Sequence, residues 1–125
     1  MKTCHFRDLQ VWQRAMSLAR NVYVLTDSFP RTETFGLCQQ MRRAAVSVPS
    51  NIAEGHGRLT DKSFALFISQ ARGSLNELET QMELSVQMGL AQGSSCSVTM
   101  DEIDELRRML NALLRRLQGS PAGSR

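Results

Sequence analysis

Hydrophobic residues recur in steps of three and four along most of the chain, which is the spacing of amphipathic helices. Four such segments lie at about 8–26, 31–54, 61–88 and 99–117. None of them alternates strictly between apolar and polar residues, as a half-buried strand does. Helices of about 20 residues joined by short connections favour a bundle. The pattern therefore predicts an all-α protein, folded as an antiparallel up-and-down four-helix bundle.

The first predicted helix carries two apolar stripes, although a surface helix needs only one. One stripe comprises Leu9, Trp12, Met16, Ala19 and Tyr23, and the second comprises Val11, Ala15, Leu18, Val22 and Leu25. They lie on different sides of the helix, so we expect only one to pack inside the bundle. The other would be an apolar patch of a kind that soluble monomers rarely expose. We therefore predict a closed homo-oligomer whose interface is formed by Val11, Leu18, Val22 and Leu25.

Proline and glycine punctuate the second and third predicted helices. Pro49 removes a backbone hydrogen bond inside the second helix, which is compatible with a kink or with a break into two helices. A kink at Pro49 is preferred, because the apolar seam stays in phase across it. We interpret Gly55 and Gly57 as the end of this helix. Gly73 costs its helix about 1 kcal/mol relative to alanine, and its small size would let a neighbouring helix come close.

Capping residues mark the starts of the last two predicted helices. Thr60 or Asp61 has the character of an N-cap for the third helix. Thr99 and Glu102 have the spacing of a capping box for the fourth. The small, polar stretch from Gly89 to Ser97 is expected to be the connection before it.

Composition indicates one ordinary globular domain over residues 1–118 and a disordered tail over 119–125, which is rich in Gly and Ser. The formal net charge of +3 permits a nucleic-acid partner without requiring one. Three widely spaced cysteines are typical of free thiols in a reducing compartment. No signal peptide is visible, and the longest apolar run, residues 64–68, is too short to span a membrane. These absences predict a cytoplasmic protein that does not enter membranes.

Residue constellations for catalysis are missing from the sequence. Only two histidines occur, and neither has the Glu three residues before it that di-metal bundle sites use. Glu77, Glu79 and Glu83 are close in sequence, and we expect them to pair with Arg42, Arg43 or Arg72 on other turns and helices. The sequence predicts a protein that is not an enzyme and that has no metal or other cofactor.

One stretch of the sequence is distinctive enough to carry a family resemblance. Residues 40–55 read QMRRAAVSVPSNIAEG, and they resemble the four-helix-bundle family encoded in intervening sequences of bacterial 23S ribosomal RNA genes. Residues 6–12, 29–37 and 71–79 resemble the opening, the first connection and the third helix of that family. In all, the resemblance covers roughly residues 6–118 in the same order and spacing.

The resemblance implies an oligomeric binding protein. Family members are known as four-helix bundles that assemble as homopentamers, so a pentamer is the expected oligomer. Similar bundles serve as accessory proteins of diversity-generating retroelements, in which they bind nucleic acid and a reverse transcriptase.

Two functions are compatible with the sequence and the resemblance. The leading hypothesis is a non-enzymatic oligomeric module that associates with structured RNA through surface arginines. The candidate residues are Arg14, Arg20, Arg42, Arg43, Arg58 and Arg72. The alternative is a protein-interaction scaffold, or accessory subunit, for a reverse transcriptase or another partner protein.

Overall fold

Four long helices dominate the computed structural model, which describes residues 5–119. Their bounds are α1 Gln10–Thr26, α2 Leu37–His56, α3 Asp61–Gln87 and α4 Gly93–Leu117. Short 3-10 turns at Phe6–Asp8 and Arg31–Glu33 precede α1 and α2, and the described chain contains no strand. Between residues 5 and 119 no helix is long and apolar enough to cross a membrane. The all-α prediction is confirmed, while most of the predicted tail, residues 120–125, lies outside the described residues.

Each helix packs against the next one in the chain, and α1 also packs against α4. The helices therefore stand at the corners of a square, in the order α1, α2, α3, α4. The predicted seams of α2, α3 and α4 face the centre, because a helix with apolar residues at steps of three and four buries one side. The largest fully buried side chains come from all four helices and include Leu18, Met41, Ile52, Ile68, Leu75, Leu78, Ile103, Leu106 and Leu110.

The two stripes of α1 have the opposite roles to those predicted. Val11, Leu18 and Val22 are buried in the core of the single chain, and Leu25 is packed against it. The predicted interface of Val11, Leu18, Val22 and Leu25 is therefore wrong. The reason is that α1 contacts both α2 and α4, so the stripe between these contacts faces the centre of the square. The stripe of Trp12, Met16 and Tyr23 lies instead at the outer edge of the α1–α2 contact.

The start of α4 also differs from the prediction. The helix begins at Gly93, after the extended residue Gln92, and not near Thr99. Thr99 is buried within the helix, and the carboxylate of Glu102 accepts two hydrogen bonds from the Asn21 side chain of α1. The predicted capping box is absent because α4 begins about a turn and a half before Thr99. Burial of Cys96 and Thr99 stabilises this additional helical segment. Thr60, in contrast, caps α3 by accepting a hydrogen bond from Ser63 N at 3.1 Å.

Helix α2 passes through Pro49 as one continuous helix. The alternative of two separate helices is thereby excluded, and the kink itself stays a prediction. Gly57 does end α2, but Gly55 has another role, because it is buried inside the helix. A Cβ atom at Gly55 would lie 2.8 Å from Phe64 Cδ1 and 2.8 Å from Phe67 Cβ. Gly55 thus allows α2 and α3 to approach each other closely at the chain reversal.

Gly73 has no such role within the described chain. A Cβ atom there would meet nothing within 4 Å. Replacing Gly73 with alanine should therefore raise the free energy of unfolding by about 1 kcal/mol, because alanine has the higher helix propensity. Urea denaturation would measure this gain. An unchanged or lower midpoint would mean that Gly73 makes contacts that the single chain does not show.

Candidate binding surfaces

Arg42 has a structural role at the end of α1. Its Nε donates a hydrogen bond to Thr26 Oγ1 at 2.8 Å, and its Nη2 donates to the Tyr23 carbonyl at 3.2 Å. Nη2 also pairs with Asp27 Oδ1 at 2.9 Å, and the guanidinium lies 4.5 Å from the centroid of the Tyr23 ring. The Tyr23 carbonyl also accepts from Asp27 N at 3.1 Å, so Arg42 adds a further donor there and attaches α2 to the end of α1. The partner of Arg42 is therefore Asp27 and not the predicted glutamates.

Three further candidate arginines have partners within the bundle. Arg14 pairs with Glu105 of α4, and Arg72 Nη1 donates a hydrogen bond to Asn111 Oδ1 at 2.9 Å. Arg58 pairs with Glu54 at 2.8 Å. These contacts attach helices or turns to each other, so all three residues have structural roles. Nucleic-acid binding by Arg14, Arg42, Arg58 and Arg72 stays a prediction.

One carboxylate of the acidic cluster of α3, that of Glu79, is paired by a residue that the sequence analysis missed. Arg107 of α4 pairs with Glu79 and, at 2.9 Å, with Asp104. The prediction of Arg42, Arg43 or Arg72 as the partner of Glu79 is thus wrong. Helix α3 packs against α4, and this contact places Arg107 beside Glu79. Glu77 and Glu83 are exposed and form no ion pair with any described residue.

The distinctive stretch 40–55 builds the α2–α3 contact through small polar groups. The hydroxyls of Ser47 and Ser74 are 2.9 Å apart. The Asn51 amide donates to the Ser47 carbonyl at 2.9 Å and to its hydroxyl at 3.0 Å. Together with Gly55, this network accounts for much of the motif by packing. Its residues therefore have packing contacts within the bundle itself.

An apolar cleft runs between α1 and α2 on the outside of the bundle. We call it the α1–α2 surface, and it is lined by Trp12, Met16, Tyr23, Val46, Pro49 and Ala53. Tyr23 and Val46 leave 43% and 42% of their areas exposed, so the cleft is open to contact. Arg20 lines the same cleft, and Arg43 lines an adjoining one that shares Tyr23 and Val46. Both arginines are exposed and have no ion pair or side-chain hydrogen bond to the described residues.

Unpaired cations gather on the other side of the molecule. The basic surface, as we call it, comprises Lys62, Arg108, Arg115 and Arg116. All four are exposed, and none forms an ion pair or side-chain hydrogen bond with a described residue. Asp61 is the acidic residue that lines a cleft with Arg115 and Arg116. Arg108 and Arg115 are seven residues apart, which places them on one face of α4. That spacing was visible in the sequence, but none of these four residues was among the arginine candidates of the sequence analysis.

Two titratable side chains outside these surfaces, His5 and Cys96, have structural roles. Within residues 5–119 no group of three or more His, Cys, Asp or Glu side chains is placed to hold a metal ion. His5 Nδ1 accepts a hydrogen bond from Arg7 N at 3.2 Å and so caps the first 3-10 turn. Burial raises the pKa of the Cys96 thiol, and the Glu83 carboxylate raises it further. Cys96 is therefore a neutral packing residue near neutral pH. The described surfaces are suited to binding by shape and charge.

Comparisons with known proteins agree with the fold. Residues 7–112 match the model of a family described as 23S rRNA-intervening sequence protein. The structure is also similar to a crystal structure from Bacteroides thetaiotaomicron, described as a protein with unknown function from the S23 ribosomal protein family. The TM-score is 0.76, with 18% sequence identity over 84% of this chain and 98% of the other. No curated protein matches this sequence.

Proposed function

Because this chain belongs to the family of 23S rRNA-intervening sequence proteins, we propose that it is a non-enzymatic, homo-oligomeric module that binds structured RNA. The basic surface is the observation that carries this proposal. Its four cations are not neutralised within the described chain, and phosphate oxygens are the partners that guanidinium groups prefer. A cytoplasmic location fits this role.

Assembly would multiply the charge that RNA encounters. In a pentamer the four cations of the basic surface become 5 × 4 = 20. Phosphate contacts add over the length of an RNA helix, so a repeated array binds more strongly than one subunit does. Base-specific readout is not part of the proposal. Trp12 is half-buried in the α1–α2 surface, whereas readout of single-stranded bases uses exposed aromatic platforms.

Salt dependence tests the RNA-binding proposal. We expect the affinity for an RNA hairpin of arbitrary sequence to fall steeply between about 50 and 200 mM salt, because each phosphate contact releases counterions. The double variant Arg108→Gln and Arg115→Gln should weaken binding and lower the salt slope by about 1.8, or about 0.9 for each contact with a duplex. Fluorescence anisotropy of a labelled hairpin measures both quantities.

A matched variant controls for net charge. Arg7 and Arg31 are exposed cations that do not belong to the basic surface, and their replacement by glutamine removes the same number of charges. We expect this control to bind nearly as well as the wild type. Equal weakening by both double variants would locate binding elsewhere. Absent or salt-insensitive binding would overturn the RNA proposal and favour the protein-interaction scaffold.

A further inference from the structure

The α1–α2 surface has a complement on the same molecule. The outer face of α3, as we call it, comprises Leu66, Gly73, Glu77, Thr80 and Leu84. Their spacing places them on one side of the helix, pointing away from the core. Leu66 and Leu84 are exposed apolar residues, and the space beside Gly73 is open. This face is thus a partly apolar ridge with a shallow point near its middle.

The two surfaces carry opposite charges. Arg20 lines the α1–α2 surface, Arg43 lines the adjoining cleft, and the outer face of α3 carries the exposed carboxylate Glu77. The ridge from Leu66 to Leu84 is about 27 Å long, and the part of α1 that lines the cleft, from Trp12 to Val24, is about 18 Å long, so the ridge is long enough to cover the cleft. Charge complementarity of this kind selects and orients partners.

The two surfaces also match in height along the bundle. Ser47 of α2 contacts Ser74 of α3, and these helices run in opposite directions. Arg43, one turn before Ser47, therefore lies at the height of Glu77, about one turn after Ser74. In a cyclic ring whose axis is parallel to the helices, residues at equal height meet across each contact.

We infer that the α1–α2 surface of one copy accepts the outer face of α3 of the next copy. This inference rests on the proposed homo-oligomer and assigns its contact. The interface is heterologous, since it joins two different surfaces, and such a contact forms a ring when the rotation closes. The α1–α2 surface and the outer face of α3 face directions that are neither the same nor opposite. Each copy is therefore rotated relative to the copy before it. The arginines of the basic surface, Arg108, Arg115 and Arg116, lie on α4 and then stay on the outside of the ring.

Two exposed positions allow each half of the contact to be blocked separately. Val46→Glu places a carboxylate on the α1–α2 surface, and Leu84→Glu places one on the outer face of α3. The native side chains are 42% and 44% exposed, so both variants should keep their helix content. We expect each variant alone to be monomeric by light scattering. Val98→Glu is the matched control, because Val98 is exposed on α4 outside both surfaces, and it should keep the mass of the wild type.

Mixing the two blocked variants is the decisive measurement. The variant Leu84→Glu retains a working α1–α2 surface, and Val46→Glu retains a working outer face of α3. An equimolar mixture should therefore form a one-to-one dimer that grows no further. If Leu84→Glu alone keeps the wild-type mass, the outer face of α3 is not at the interface and the inference is overturned. A monomeric wild type would instead overturn the proposed homo-oligomer itself.

Charge reversal gives a second and independent readout. Arg43→Glu and Glu77→Arg should each weaken assembly, because each places like charges opposite each other across the contact. The double variant should recover much of the wild-type mass, since it restores an opposite pair at the same height. If the double variant is as weak as the two single variants together, Arg43 and Glu77 do not meet and the proposed register is wrong.

Discussion

Val22→Glu should unfold this protein and not merely dissociate an assembly. The Val22 side chain is 0% exposed and lies in the core shared by the four helices. A carboxylate there has no cationic partner and loses its hydration, at a cost of several kcal/mol. A domain of this size is stable by only about 5–15 kcal/mol, so much of the folded population is expected to disappear. Circular dichroism would record the lost helix signal and the lowered midpoint of thermal unfolding.

Val98→Glu is the matched control, on α4 and outside the α1–α2 surface. Val98 is 66% exposed, so the same substitution there leaves the new carboxylate in water. Helix content and thermal midpoint should remain close to those of the wild type. A folded Val22→Glu variant of reduced mass would show that the inner stripe of α1 belongs to a subunit interface after all.

Gly55→Ala should destabilise the protein even though alanine is the better helix former. The added methyl group would lie 2.8 Å from Phe64 Cδ1 and Phe67 Cβ, and 3.2 Å from the Phe64 carbonyl oxygen. Helix α3 would have to move away from α2, and overpacking of this kind costs about 1–3 kcal/mol. We expect the midpoint of thermal unfolding to fall by several degrees, as measured by calorimetry.

Gly57→Ala separates packing from helix propensity in this test. Gly57 is exposed, and its added Cβ would come no closer than 3.6 Å to the Glu54 carbonyl oxygen. Its φ of −80° suits any residue, so alanine should be tolerated without loss of stability. An equal fall for both variants would mean that Gly55 acts through backbone conformation and not through the approach of α3.

Local patterns in the sequence were sufficient for the fold class and for most helix bounds. The seams of α2, α3 and α4 repeat at steps of three and four, and such a repeat indicates helices that bury one side against each other. Bounds failed where tertiary packing outweighed a local signal. The capping box at Thr99 is locally favourable, yet burial of Cys96 extends α4 to Gly93.

The candidate site was less accessible to sequence reasoning. The sequence does not distinguish an arginine that forms an ion pair from one that faces solvent. The difference depends on which residues of the neighbouring helix lie beside it. Arg42 was a candidate ligand for phosphate, but it holds the end of α1 through Thr26 and Asp27. Arg43, next to it, points about 100° away and has no such partner.

Helix periodicity along the chain was enough to specify four amphipathic helices and the residues available for burial. It left undecided which stripe of α1 is covered, because both stripes repeat with the same period and similar hydrophobicity. The arrangement of the helices resolved this, since α1 contacts α2 and α4 and thereby encloses Leu18 and Val22. Tyr23 is left at the outer edge, beside Val46 of α2. Burial depends on neighbours that are distant in sequence, and a local pattern carries no information about them.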